Sequence, residues 1–163
     1  MKTSPTLKIL LIEDNPADAR MVDVLLADGH CPSYQLTHKE RLSEAVDTLS
    51  REVFDIALLD LNLPDGSGMD VFLTLHNLNP ELPIVILTGQ DDHDLGKSMV
   101  KAGAQSYLTK GDSSPELFYR SLQHSIERQH LHSRLELKHT ESEKAQAQFR
   151  SLIEGNESIP IRR

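Results

Sequence analysis

Glu13 and Asp14, then Asp60, then Thr88, then Lys110 each stand at the end of a short apolar run. The runs are Ile9-Leu10-Leu11-Ile12, Ile56-Ala57-Leu58-Leu59, Ile84-Val85-Ile86-Leu87 and, more weakly, Tyr107-Leu108-Thr109. Near-continuous apolar runs of this length read as strands covered on both faces. In an open parallel sheet the carboxyl ends of the strands share one edge, and ligands bind in the crevice there. Residues far apart in the chain would then converge as three carboxylates, a hydroxyl and an ammonium. That donor set suits a divalent cation and a phosphoryl group. Asp60 is the candidate nucleophile, since a carboxylate can attack phosphorus and become an acyl phosphate. Glu13, Asp14 and Asp60 crowd negative charge that a hard cation makes tolerable, and Mg²⁺ suits oxygen ligands and phosphate best. Lys110 would pair with Asp60 at rest and with a phosphoryl oxygen afterwards. The Thr88 hydroxyl could donate to another such oxygen, because phosphoryl transfer depends mostly on positioning and charge neutralisation.

Singly, each residue has a plainer explanation. An acid after a strand is commonly a helix cap, Thr88-Gly89 alone is a strand end, and Lys110-Gly111-Asp112 alone is a turn. The order of all five at one sheet edge is what makes coincidence improbable. Two other clusters do not hold up. Asp60-Leu61-Asn62 with Asp65-Gly66 has the wrong spacing for a calcium loop, with Pro64 at its fifth position and Asp65 where the glycine belongs. Asp91-Asp92-His93-Asp94 reads as the first turn of a helix, where carboxylates favour the positive dipole end. His124, His130, His132 and His139 sit at mixed spacings on a polar helix and read as solvent-facing.

The elements that must position these residues alternate from Leu7 to about Leu131. Asn15 caps a helix that takes Pro16 in its first turn and ends at Gly29. A second strand is expected at Tyr34 to Thr37, then a helix from Lys39 to about Arg51 with Leu42, Ala45, Val46 and Leu49 on one face. The third strand covers Phe54 to Leu59. Pro64-Asp65-Gly66-Ser67-Gly68 is a turn cluster opening a helix through Val71, Phe72 and Leu75. The fourth strand, Pro83 to Leu87, leads to a helix from near Asp91. The fifth, Gln105 to Thr109, leads to a last helix from near Ser114 and Pro115. Five such units imply a doubly wound, three-layer α/β domain.

At 163 residues, with 38% hydrophobic and 26% charged residues, the chain can bury an aliphatic core and leave about thirty to forty residues over. The net charge of −8 argues against nucleic-acid binding, which needs clustered Lys and Arg. Cys31 is the single cysteine and reads as a half-buried packing residue in a reducing compartment. No apolar stretch approaches the roughly 20 residues that span a bilayer, and the N-terminus lacks the pattern of a signal peptide. A cytoplasmic location is expected.

The last helix is expected to run on from Leu117 to about Ile153, since Gly155 is the first breaker after it. Positions 124, 128, 131, 135, 138, 142, 145, 149 and 152 alternate in steps of four and three, as a heptad seam does. Their occupants, His, Arg, Leu, Leu, Lys, Ser, Ala, Phe and Leu, are apolar only in patches. Dimerisation through this helix and a solvated helix that frays without a partner are both open.

Leu10-Leu11-Ile12-Glu13-Asp14-Asn15, Leu58-Leu59-Asp60-Leu61-Asn62-Leu63-Pro64-Asp65-Gly66-Ser67-Gly68, Leu87-Thr88-Gly89 and Tyr107-Leu108-Thr109-Lys110 together resemble the receiver domain of two-component response regulators. The resemblance covers roughly residues 5–128. It implies a flavodoxin-like, five-stranded parallel sheet in the order 2-1-3-4-5 with helices on both faces. It also implies that Asp60 is the phosphoacceptor, served by a histidine kinase or a histidine phosphotransfer protein. Asp14 and Asp60 would ligate Mg²⁺ by side chain, Asn62 by its backbone carbonyl and Glu13 through water. Thr88 and Tyr107 would be the switch pair, and such a domain is a bistable element biased by one local charge change. The family usually carries Pro after the lysine, with a cis bond; here Gly111 stands there. A cis bond without Pro costs about 2.5–4 kcal/mol, so the loop is expected to compensate through glycine's freedom. Residues 129–163 resemble a signalling linker, and Phe149-Arg150-Ser151-Leu152-Ile153-Glu154 the opening helix of a PAS sensor domain. Arg163 falls before a PAS core could form, so the chain reads as a fragment or as short by nature.

Two alternatives belong to other classes. A haloacid-dehalogenase-like phosphohydrolase also uses Asp, Thr or Ser, Lys and Mg²⁺, but wants a second Asp where Asn62 stands, and acids on a later strand. A receiver-like interaction module that never takes phosphate would usually have lost an acid, the acceptor or the lysine, all present here.

Overall fold

A computed structural model describes residues 5–161, with the side chains of 139–142 and 149–161 outside that description. The elements follow in the order β1 (Leu7–Ile12), α1 (Pro16–Asp28), β2 (Tyr34–Lys39), α2 (Leu42–Leu49), β3 (Ile56–Asp60), β4 (Asn62–Leu63), β5 (Gly66–Ser67), α3 (Met69–Leu78), β6 (Ile84–Thr88), α4 (His93–Ala102), β7 (Ser106–Thr109) and α5 (Pro115–Ile161). Five strands form one parallel sheet in the order β2-β1-β3-β6-β7. Counting only these five, the order is 2-1-3-4-5, and the topological reversal falls between β1 and β3, where the crevice is expected.

Alternation along the strands decides which helix covers which face, because successive side chains point to opposite sides. Leu10, Ile12, Ala57, Leu59, Ile84 and Ile86 pack with Ala45 of α2, Phe72 and Leu75 of α3 and Met99 of α4. Ile9, Leu11, Ile56, Leu58, Val85 and Leu87 pack with Val22 and Leu26 of α1 and Phe118 and Leu122 of α5. The central strands β3 and β6 are buried along their whole length, which is why their sequences show no polar alternation.

Local side-chain caps open α1 and α5, whereas α2, α3 and α4 start without one. Asn15 Oδ1 accepts from the N–H groups of Ala17 and Asp18 at 2.9 and 3.4 Å, and Pro16 opens α1. At its far end Gly29 has φ −83°, and the left-handed residue is His30, φ 62°; histidine is among the side chains that tolerate this region. The second helix begins at Leu42 rather than near Lys39, because Lys39 continues β2 beside Ile12. Its cap is not local. Asp65, in the turn of the β4–β5 hairpin, accepts from the N–H groups of Leu42 and Ser43, both at 2.9 Å. That hairpin, Asn62 to Ser67, occupies the turn cluster after Asp60.

The fifth helix continues through Gly155 and Pro160 to Ile161, past the breaker expected to end it; a helical glycine costs only about 1 kcal/mol relative to alanine. Contacts divide the chain after Gln129. Within the first unit, Phe118, Leu122, Ser125 and Gln129 of α5 are buried, whereas His124 and Arg128 are exposed. In the second unit Leu131 and Leu135 are 57% and 66% exposed. The seam positions 142, 149 and 152 and the segment Phe149–Glu154 lie outside the described side chains. No described helix is long and apolar enough to cross a membrane.

Candidate functional site

At the carboxyl edge of the sheet, β1 delivers Glu13 and Asp14, and β3 ends on Asp60. A carboxylate oxygen from each of the three lies within 4.8 Å of the others. Glu13 is fully buried and Asp60 is 6% exposed, while Asp14 is open to solvent. Glu13 Oε1 accepts from the Asn15 N–H at 3.1 Å. Glu13 Oε2 is buried without a hydrogen-bond partner, although the Lys110 ammonium stands 2.8 Å away as its counter-charge. Three carboxylates converging at one sheet edge, with a single ammonium between two of them, are a hard-oxygen donor set that fits Mg²⁺.

Lys110 joins the site from the loop after β7. Its Nζ lies 3.0 Å from Asp60 Oδ1, 2.8 Å from Glu13 Oε2 and 2.9 Å from Asp18 Oδ2. The Lys110 N–H donates to the Thr88 carbonyl at 2.8 Å, which fixes the base of the loop against β6. No cis peptide bond occurs among the described residues. Gly111 follows in a trans linkage with φ +86°, a conformation open to glycine but rarely to other residues. Glycine therefore replaces the family's usual proline while Lys110 still reaches Asp60.

Burial, the neighbouring Asp60 charge and the opposing pull of Lys110 leave the Glu13 carboxyl raised to about 7. Burial also raises Asp60, against the pull of Lys110. Lys110 is raised too: burial alone would lower it, but the contacts with Glu13, Asp18 and Asp60 outweigh that effect. The site is therefore short of positive charge, and one ammonium serves three acids.

Thr88 is buried at the end of β6, and its hydroxyl donates to the Leu108 carbonyl at 3.3 Å. Tyr107 is half-buried on β7, its ring edge-on to His93 with centroids 6.0 Å apart. Asn62, two residues past Asp60, is exposed and pairs with Ser67 across the hairpin. The structure thus brings Glu13, Asp14, Asp60 and Lys110 into one cluster and puts Thr88 and Tyr107 on the adjoining strands.

Sequence reasoning missed Asp18 and His38. Asp18 is the third residue of α1, and its only signal was position, masked because acids are commonplace in a first helical turn. His38 Nε2 is 2.6 Å from the Glu13 carbonyl. A carbonyl can only accept, so this nitrogen carries the proton.

The profile of the response regulator receiver domain matches residues 9–120. The chain belongs to the response regulator receiver domain family. Receiver relatives include the cell cycle transcriptional regulator CtrA of Caulobacter vibrioides, 36% identical over 114 residues, which are 70% of this chain and 48% of that protein. The swarming motility regulation protein RssB of Serratia marcescens is 32% identical over 114 residues, 70% of this chain and 51% of its own length. The chain spans about half the length of these relatives. A response regulator receiver domain from Clostridium thermocellum superposes with a TM-score of 0.66 at 24% identity, covering 77% of this chain and 98% of that one, and supports the fold. The receiver assignment gives no support to the phosphohydrolase alternative.

Proposed function

We propose that this receiver accepts a phosphoryl group on Asp60 from a phosphohistidine of a histidine kinase or histidine phosphotransfer protein. An Asp60 carboxylate oxygen forms the new bond to phosphorus as the P–N bond breaks, and the imidazole nitrogen leaves with the electron pair. The observation that carries this reading is Lys110, whose ammonium reaches Asp60 and Glu13 from the loop after β7 at the same sheet edge. Glu13, Asp14, Asp60 and the Asn62 carbonyl would hold Mg²⁺, which supplies charge neutralisation for the transferring group. Lys110 moves its pairing from Asp60 to a phosphoryl oxygen. Thr88 exchanges the Leu108 carbonyl for another, and Tyr107 follows inward. The domain promotes only its own phosphorylation and dephosphorylation and is not an enzyme acting on a separate substrate. It works in the cytoplasm and contacts neither nucleic acid nor membrane.

The receiver proper occupies residues 5–128, and 129–163 act as a helical linker toward an output, with the start of a PAS-like domain at the end. Pairing of two copies through α5 is supported by Leu131 and Leu135 of the second unit, apolar seam positions that stand exposed. The test is intact-mass spectrometry after incubation with phosphoramidate, with and without Mg²⁺. A Mg²⁺-dependent gain of one phosphoryl group is expected. No gain under either condition would favour the receiver-like module that never takes phosphate.

A further inference from the structure

Lys110 stands on a permissive support. The residue after it, Gly111, is exposed at φ +86°, and nothing lies within 4 Å of where a Cβ would sit. The small cavity beside its side chain is walled by Met21, Val22, Leu87, Leu108 and Phe118 together with the hydroxyls of Thr109 and Ser113, and Asp18 is the one carboxylate on its lining. The loop fixes the Lys110 backbone through the Thr88 carbonyl, and the ammonium itself is held by its three carboxylates. Two of these, Glu13 and Asp60, belong to the three-acid cluster that fits a cation. A cation there would draw on the same negative charge that holds Lys110. Asp18 is different: it is anchored in the first turn of α1, lies outside the three-acid cluster and still reaches Nζ at 2.9 Å.

We propose that Asp18 is a positioning residue that keeps the Lys110 ammonium at the reaction centre when Glu13, Asp14 and Asp60 are engaged by Mg²⁺. This rests on the reading of Asp60 as the phosphoacceptor. Mg²⁺ would cancel most of the negative charge on Glu13, Asp14 and Asp60 and so weaken their pull on Lys110, and a lysine with no further carboxylate of its own would be free to swing away. Asp18 takes over the orienting role that a rigid residue after the lysine would otherwise play. It touches neither the donor nor the transferring group.

An acid in a first helical turn can also act only through the helix dipole, so the test must separate the two roles. The full chain and its Asp18→Asn variant are compared first by the ¹H–¹⁵N cross-peak of the Lys110 ammonium, with and without Mg²⁺. The wild type is expected to keep the cross-peak in Mg²⁺. Asp18→Asn is expected to lose or shift it there, and Asp18→Glu to recover it in part. The second readout is the phosphorylation rate by phosphoramidate in a double-mutant cycle. Asp18→Asn is expected to slow labelling about tenfold with Lys110 present, and less than about twofold in Lys110→Ala, because the two residues act as a pair. An unchanged Lys110 cross-peak in Asp18→Asn, or an equal slowing in both backgrounds, would overturn the proposal. If the wild type takes no phosphate at all, the phosphoacceptor reading fails, while the cross-peak still decides whether Asp18 holds Lys110.

Discussion

Gly96 of α4 lies so close to Tyr107 of β7 that a methyl group added to it would sit 2.9 Å from ring atom Cγ and 3.1 Å from the Thr88 methyl. The helix thus rests directly on the two residues expected to switch, and the absence of a side chain is what permits the approach. Overpacking of this kind costs about 1–3 kcal/mol, against a helix-propensity gain of about 1 kcal/mol for alanine over glycine.

Gly96→Ala should therefore push the Tyr107 ring outward, with a small net loss of stability. The chain has three tyrosines and no tryptophan, so tyrosine ring signals in NMR spectra are readily assigned. Tyr107 and His93 signals should both move, since the two rings are in edge contact. Coincident spectra would mean that α4 yields and the ring does not.

The raised Glu13 carboxyl sets a pH dependence for the metal-free domain. Its folded value, about 7, lies above the unfolded reference of 4.5, so between these values the folded state binds more protons. Stability from this group is present at low pH and is lost as pH rises from about 4.5 through about 7. Denaturant melts in chelator should show this fall, and Glu13→Gln should flatten it. A slope unchanged by Glu13→Gln would place the proton uptake elsewhere.

Asp65 predicts the opposite sign. The Ser43 and Leu42 N–H groups hold its carboxyl below the usual range, near 3.8 when unperturbed. Its contribution is present above the unfolded value and lost as pH falls through the depressed folded value. Asp65→Ala should speed amide exchange at Leu42 and Ser43 while leaving α3 amides unchanged. Equal exchange in variant and wild type would remove Asp65 as the cap of α2.

Metal binding and lysine function should separate. Asp14→Ala is expected to weaken Mg²⁺ binding by tenfold or more, since one or two carboxylates typically hold this ion. Lys110→Ala should not weaken it, because removing an ammonium relieves competition for the same acids, yet it should impair phosphorylation or its conformational consequence. Titration calorimetry of both variants checks the pair; a weaker Mg²⁺ affinity in Lys110→Ala would contradict the competition argument.

The sheet and its edge were legible because each strand is a short apolar run followed by one chemically distinct residue, as in Leu58-Leu59-Asp60 and Leu87-Thr88. The contacts that were not legible join elements with no local pattern in common. The cap of α2 comes from Asp65 across the hairpin after Asp60, so Arg41 at the cap position gave no sign of it. Asp18 looked like any first-turn acid until Lys110, 92 positions away, was found against it. The continuation of α5 through Gly155 and Pro160 is not legible because breakers lower helix stability without forbidding a helix. The reason for a glycine at 96, inside α4, lies likewise in another element, the Tyr107 ring of β7.

Phosphoryl transfer in this domain should end on Asp60 and on no other carboxylate. Protein treated with phosphoramidate and Mg²⁺, reduced with borohydride and digested, should yield one peptide in which Asp60 has become homoserine. Asp60→Asn should yield none. A reduced residue at Asp14, Glu13 or any other position, with Asp60 intact, would contradict the central claim.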